Sequence, residues 1–412
     1  MNISIIHGSP KGNNSTTKKH TDYLIKCMPN HSYTEFYVGK EIKKLEDDAS
    51  YFSTMIRTIH ESDIIIWSFP VYYYMVPSQL KRFVELVYEK NCVYAFKGKY
   101  STSISTSGNF FDHAAHNYMN AVCNDLDMNY IQGFPAEMLD LLKEEKRNNF
   151  IGFMQYFLYI SEKKLSISKS FAPLLSNNFN YVPEPQVNTK IVLDKKIVLL
   201  TDATPYDLNI NNMIKTLNSC FGNIIDVINL HTVNIKGGCL GCGHCLSDGK
   251  CVYKDGFETL FYEKINTADV LIFAGAMKDR YLSATWKTFF DRNFFNGHRA
   301  VLNDKYLGFI ISGPLKQNSN LRQILEATCQ IWKTPILDII TDEFNSSYEL
   351  TKEIEAFAEK VSKILKLSCQ RSDSFLGVGG HKVFRDLVFS RKAIMKADHE
   401  YYKSHEYYDF PH

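Results

Sequence analysis

The sequence predicts an α/β protein made of two tandem, doubly wound parallel sheets followed by an irregular C-terminal tail. Three observations predict it. Short apolar strands alternate with helix-period stretches from the first residue, the whole alternation restarts near Lys195, and the residues from 371 onward show no third round. A chain of 412 residues is also too long for one compact core, so a repeat is expected.

In the first copy the strands are MNISIIHG, HSYTEFYV, DIIIWSFPV and KYSTSIST, separated by helices through Tyr23, Ile59 and Val87. In the second they are KKIVLLTD, NIIDVINL, DVLIFAGA and KYLGFIISG, with INNMIKTLNSCFG and SATWKTFFDR as helices between them. Ile3 pairs with Ile197 at a separation of 194, whereas Asp63 pairs with Asp269 and Lys81 with Lys287 at 206, so the second copy has gained 12 residues. The gain falls after its second strand, where GGCLGCGHCLSDGKCVYKDG sits. Between the copies SNNFNYVPEPQVNTK, rich in Asn and Pro, reads as a linker with the boundary near Asn188. The expected domains are 1–187, 188–370 and a tail, 371–412.

Lys and Arg number 47 against 45 Asp and Glu, a net charge of +2, which provides no basic field for a phosphate backbone and argues against nucleic acid as partner. The start, MNISIIHGSP, lacks the pattern of a secretory signal, and the longest apolar stretch, Phe150 to Ile160, is too short to cross a membrane and reads as a buried or interface helix. A cytoplasmic protein with no membrane partner is expected. Four of the ten cysteines fall within 13 residues, which in a reducing compartment points to metal and not to disulfides.

HGSPKGNNSTTKKHTDYL follows a strand and opens a helix, where backbone N–H groups and the helix dipole can hold an anion. Ser9, Ser15 and Thr16 add hydroxyls and Lys11 adds charge; the plainer reading is a strand-to-helix turn with Ser15 or Thr16 as cap. Two more segments sit at strand carboxyl ends, where open α/β sheets bind ligands. Pro70, Val71, Tyr72, Tyr73 and Met75 follow the third strand, and Ser107, Gly108 and Asn109 follow the fourth. Tyr72 to Tyr74 are candidates for ring contact, with core packing the alternative.

These segments resemble the flavodoxin-like NAD(P)H-dependent FMN reductases. The resemblance rests on Gly8, Ser9, Pro10, Thr16, Pro70, Val71, Tyr72, Gln79, Leu80 and Lys81, with Lys11 where that family has arginine. It implies two flavodoxin-like domains, an FMN phosphate on the first loop and the flavin ring against the second. A lysine there holds phosphate as a point charge and not as a fork.

Cys239, Cys242, Cys245 and Cys251 follow C-x2-C-x2-C-x5-C. Two successive C-x2-C steps wrap a loop around a compact inorganic core, favouring a 4Fe-4S cluster; structural zinc, the competing metal, generally uses two separated knuckles. A compact cysteine motif after the second strand of such a unit resembles the iron-sulfur flavoproteins of anaerobic microbes, in which the cluster exchanges electrons with FMN. This chain departs from them in dividing the cofactors. The second copy's first loop is TDATPYDLNINN and its third-strand loop holds Ala276, Met277 and Lys278, so a second FMN is not expected. The chain reads as a fused pseudodimer, flavin in the first copy and cluster in the second. Whether electrons pass within one chain or across a homodimer stays open.

The resemblance implies a flavin-dependent oxidoreductase moving electrons from NAD(P)H or reduced ferredoxin to a small oxidised acceptor: a quinone, a nitro compound or an oxygen species. His113 and His116, three apart on a helix that Asp112 is expected to cap, are candidate proton donors to substrate; they can equally be helix-start residues bonding the backbone. Lys278, Asp279 and Arg280 read as a substrate-holding or merely solvated rim. The competing function is an electron carrier with only protein partners, although the chain is long and nearly neutral for one. A redox sensor would need an output module, and no such motif is visible.

Overall fold

The computed structural model describes residues 1–108, 110–176, 178–184 and 191–409. The chain forms two compact units, each holding one of the two parallel sheets read from the sequence. Unit 1 comprises Met1–Pro173 and takes in two stretches from further along the chain, Gly238–Cys242 and Lys287–Asp291; unit 2 is the remainder from Leu174 onward. The boundary expected near Asn188 lies outside the described residues.

In unit 1 the elements run β1 (Asn2–His7), α1 (Thr16–Cys27), β2 (Ser32–Phe36), α2 (Val38–Asp47), α3 (Ala49–Glu61), β3 (Ile64–Pro70), α4 (Ser78–Glu89), β4 (Tyr100–Ser107), α5 (His113–Asp125), β5 (Asn129–Tyr130), β6 (Phe134–Glu137) and α6 (Glu144–Glu162). The strands pair in parallel in the order β2-β1-β3-β4-β5, with β6 also on β4. Strand β3, IIIWSFP, is apolar on both faces, as a sheet covered by helices on both sides demands, whereas the inner strand β4 buries a row of hydroxyls. Ile3 and Ile5 of β1, Ile64 and Ile66 of β3 and Ile104 of β4 pack with Leu24, Phe150, Met154 and Phe157. Phe150 to Ile160, expected as a buried helix, accordingly lies within α6 and buries one side of it. The single helix expected through Ile59 is two, because the Asp48 carboxylate accepts the Tyr51 amide at 2.9 Å and starts α3 afresh.

In unit 2 the elements are β7 (Ile197–Thr201), α7 (Leu208–Cys220), β8 (Asp226–Asn229), α8 (Cys245–Asp248), α9 (Gly256–Thr259), β9 (Val270–Lys278), β10 (Tyr281–Leu282), β11 (Tyr306–Ser312), α11 (Ser319–Ile331), β12 (Ile336–Thr341) and α12 (Ser347–Leu367), and between β10 and β11 runs α10 (Ala284–Arg292), whose Lys287–Asp291 belong to unit 1. Its parallel order, β12-β11-β9-β7-β8, repeats that of unit 1, with β10 antiparallel on β9. The tail is not irregular: it forms α13 (Phe375–Ser390) and α14 (Lys396–Ser404). Val388, Met395 and Tyr402 bury themselves together with Leu246 of α8 at their edge. Asp398 accepts the amide and Nδ1 of His298 at 3.2 and 2.9 Å. Gly297 makes this docking fit, since a Cβ there would lie 2.0 Å from the Asp398 carboxylate and its φ is +59°. No described helix is long and apolar enough to cross a membrane.

Candidate cofactor site

The strand order of unit 1 reverses direction between β1 and β3, the place where sheets of this order open a ligand crevice at their carboxyl ends. The Gly8 amide donates to the Ser68 carbonyl at 2.8 Å, and the chain then turns through Gly12 N to Ser9 O (3.2 Å) and Ser15 N to Gly12 O (3.0 Å) into α1. The first-turn amides of α1 have no partner within the helix, and the dipole favours an anion at this end. Around it stand Ser9 and Ser15, both buried, Thr16, half-buried, and Lys11, exposed. The start of α2 abuts the same turn: a Cβ on Gly39 would lie 2.3 Å from the Gly8 carbonyl oxygen.

The loop after β3 forms the second wall. Val71 N donates to Thr106 O at 3.0 Å, and Tyr72 and Met75 exchange backbone bonds of 2.8 and 3.0 Å across a turn that puts Tyr73 and Tyr74 at φ +41° and +62°. Pro70, Val71 and Tyr73 are half-buried, whereas Tyr72, Tyr74 and Met75 are buried. The Tyr74 ring meets Phe110 and Phe111 edge-on at 5.9 and 5.6 Å. The Tyr72 hydroxyl faces Gly241, where a Cβ would lie 2.0 Å from it and 3.6 Å from Lys11 Cδ. Burial, reinforced by Cys239, Asp291 and Cys242 nearby, raises the Tyr72 phenol well above its ordinary pKa. In the third loop the Ser107 hydroxyl donates to Asp112 at 2.8 Å and Gly108 is exposed; Asn109 lies outside the described residues.

The two histidines part company. His116 is buried, with Nδ1 on the Ser103 hydroxyl and Nε2 on the Ser105 hydroxyl, both at 2.8 Å, and burial lowers its pKa to about 4. The hydroxyl-rich strand β4 needs that imidazole to satisfy it, so the proton-donor role expected for His116 does not suit its surroundings. His113 is exposed at the start of α5, its ring 4.5 Å from that of Phe111. It opens a groove of about 810 Å³ that runs past Asn117, Gln132, Phe153 and Tyr156. Asp112 precedes α5 without capping it, its carboxylate being engaged by Ser107.

At the corresponding crevice of unit 2 the donors are taken by internal carboxylates. Asp202, after β7, accepts from the Trp286 indole at 2.9 Å and from the Ser283 hydroxyl, and burial raises its pKa against those bonds. Asp207 accepts the amide and hydroxyl of Thr204 at 2.8 and 2.7 Å, and Asp342 accepts Ser312 Oγ and Gly313 N at 2.6 and 2.8 Å. Acidic groups and an indole thus stand where unit 1 offers amides and hydroxyls.

In the cysteine loop none of the thiols is in a disulfide. Within unit 1, Gly241 N donates to Cys239 Sγ at 3.3 Å and Gln79 Nε2 to Cys239 O at 3.2 Å, with Cys242 exposed beside them. Within unit 2, Cys245 Sγ lies 3.4 Å from Phe294 O, and Cys251 N donates to Glu258 at 2.7 Å. Gly241 and Gly243, one inside each C-x2-C step, adopt φ of +61° and +74°, and Gly249, between Cys245 and Cys251, adopts +73°, left-handed turns that glycine allows. Arg292 secures the base of the loop: its Nη atoms fork onto Asp255 at 2.7 and 2.8 Å, and its guanidinium lies over Tyr253 and Phe257. The donor set suits an iron-sulfur cluster, but among the described residues no three His, Cys, Asp or Glu side chains are gathered to hold a metal ion.

A model of the flavodoxin-like fold matches residues 1–150. Over 172 residues the chain is 26% identical to an iron-sulfur flavoprotein of Archaeoglobus fulgidus, covering 40% of this chain and 77% of the relative. Similar solved structures include FerB, an NAD(P)H:(acceptor) oxidoreductase of Paracoccus denitrificans (18% identity, 39% of this chain, 97% of that one, TM-score 0.33). General stress protein 14 of Treponema denticola, in complex with FMN, is 16% identical over 39% of this chain and 98% of its own, with a TM-score of 0.30. The resemblance read from the motifs is borne out by the family match and the archaeal relative.

Three features of the flavodoxin-like units were missed from sequence: the Gly39 approach, the Asp202 and Trp286 plug, and the insertion of Lys287–Asp291 into unit 1. Of these only the second left a trace, in the loss of the Gly-Ser-Pro pattern from the second copy's first loop.

Proposed function

We propose that the chain is an FMN-dependent oxidoreductase that also carries a 4Fe-4S cluster, and that it passes electrons from NAD(P)H or reduced ferredoxin to a small oxidised acceptor. The observation that carries this reading is the crevice of unit 1, whose amide and hydroxyl donors at the head of α1 stand opposite an aromatic loop. Ser9, Lys11, Ser15 and Thr16 would hold the FMN phosphate, and Pro70, Val71, Tyr72, Tyr73, Met75, Ser107 and Gly108 the ring. Bound FMN supplies both hydride and single-electron chemistry. His113, exposed at the start of α5 beside Phe111, is the candidate to give a proton to the acceptor.

Cys239, Cys242, Cys245 and Cys251 would hold the cluster. The place of Gly241 against Tyr72 and Lys11 supports a path within one chain. Unit 2's carboxylates favour one FMN per chain, because Asp207 and Asp342 repel a phosphate and occupy the amides it needs. The archaeal relative's name, iron-sulfur flavoprotein, supports a flavin together with a cluster.

The test is an anaerobic visible spectrum with flavin, iron and sulfide quantified together, followed by reoxidation with quinone and nitroaromatic acceptors. One FMN, four irons and four sulfides per chain are expected. Two flavins would sink the division of labour, zinc without sulfide would sink the cluster, and no oxidation by any small acceptor would favour a carrier.

A further inference from the structure

We propose that Lys287 is a positioning residue for the flavin, a tether that the second copy's helix supplies to the aromatic loop of unit 1. The inference rests on the FMN reading above. Lys287 is fully buried, and its ammonium donates to the Tyr72 carbonyl at 2.9 Å and pairs with Asp291. Asp291, also fully buried, accepts the amide of Ser78, the first residue of α4, at 2.7 Å. One ion pair therefore grips both ends of the Tyr72–Pro77 loop.

That loop needs gripping. Tyr73 and Tyr74 both have left-handed backbone, which a bulky side chain tolerates only where its surroundings impose it. The Tyr72–Met75 exchange closes the turn but does not fix where it stands relative to the crevice. Packing alone does not explain the pair, since apolar residues of similar volume generally do as well or better in place of a buried ion pair. What an apolar pair cannot do is donate to the Tyr72 carbonyl and accept from the Ser78 amide. In a chain whose second crevice is filled, α10 thus retains a task toward the first.

The test compares wild type, Lys287→Met and the double variant Lys287→Met/Asp291→Leu. The double variant leaves no unpaired buried carboxylate, so its thermal midpoint should return toward wild type. FMN affinity is measured by fluorescence quenching on flavin-free protein, the bound flavin's band shape by absorption, and amide exchange over Met75 to Ser78 by mass spectrometry. Both variants should bind FMN at least about tenfold more weakly, with an altered band shape and faster exchange, and the double variant should do so with a thermal midpoint closer to wild type than that of Lys287→Met. FMN binding within twofold of wild type, with unchanged band shape and exchange in the double variant, would overturn the tether alone. A wild type that binds no FMN would instead overturn the flavin reading, and the positioning role with it.

Discussion

Gly39 offers a sharp test of the crevice, because sequence and structure predict opposite outcomes for Gly39→Ala. Glycine within a helix is worth roughly 1 kcal/mol less than alanine, so on propensity alone the change stabilises α2. In the structure an added Cβ would lie 2.3 Å from Gly8 O, 2.4 Å from Gly8 C and 2.6 Å from Ser9 C. All three are backbone atoms of the turn leading into α1, held by the Gly8 to Ser68 bond, and cannot swing aside as a side-chain end would. Relieving contacts about 1 Å too short means moving α2 or the turn, and overpacking of this kind costs about 1–3 kcal/mol. The net loss should be up to about 2 kcal/mol after the helix gain. FMN affinity should fall further, since Ser9 and the amides beside it move. Urea denaturation gives the first quantity and FMN titration of flavin-free protein the second. A variant as stable as wild type that binds FMN equally well would refute the close approach and the phosphate site together.

Four further outcomes are expected. Cys239→Ser or Cys245→Ser should lose iron and sulfide while keeping FMN, and a full complement of both in either variant would remove that cysteine from the ligand set. His116 binds its proton more weakly folded than unfolded, so its contribution is present above its ordinary pKa of 6.5 and is lost as pH falls toward about 4; wild type should lose about 2 kcal/mol more than His116→Gln between pH 7 and pH 5 in urea melts, and parallel losses would contradict the buried neutral imidazole. His113→Gln should slow reoxidation by a proton-requiring acceptor about 100-fold in stopped-flow traces, with flavin reduction by the donor unchanged; equal traces would dismiss the histidine. Arg292→Met strands the buried Asp255 carboxylate and should cost about 3 kcal/mol in urea denaturation, and a wild-type midpoint would show that the fork holds nothing.

What the sequence discloses here is what neighbouring residues decide. Alternating apolar runs such as DIIIWSFPV mark β3, and the Ser-rich turn opening α1 marks the head of the crevice, because strand period and helix start are local properties. The tail was hidden for the opposite reason. Gly377, Gly379 and Gly380 lower the helix propensity of α13, and burial of Val388, Met395 and Tyr402 overrides it. The filled crevice of unit 2 was half legible: loss of the Gly-Ser-Pro pattern is visible, but nothing near Asp202 announces an indole 84 positions away. His116 looked like a partner of His113 because they share a helix. Its fate is set by the hydroxyls of β4, which sequence spacing does not reveal.

The tether also bears on how the molecule reaches its native state. The Lys287 to Tyr72 bond closes a span of 215 residues and the Ser78 to Asp291 bond one of 213. Closing such a span in a flexible chain costs about 5 kcal/mol beyond the constant term, and contacts of this range form late. The Tyr72 loop should therefore be the last part of unit 1 to lock during refolding, after its sheet, and with a rate that follows the ordering of residues 174–286. A chain cut between Pro173 and Leu174 should yield a first half with a formed sheet and a loose aromatic loop, recovering its FMN affinity only when the second half is added back.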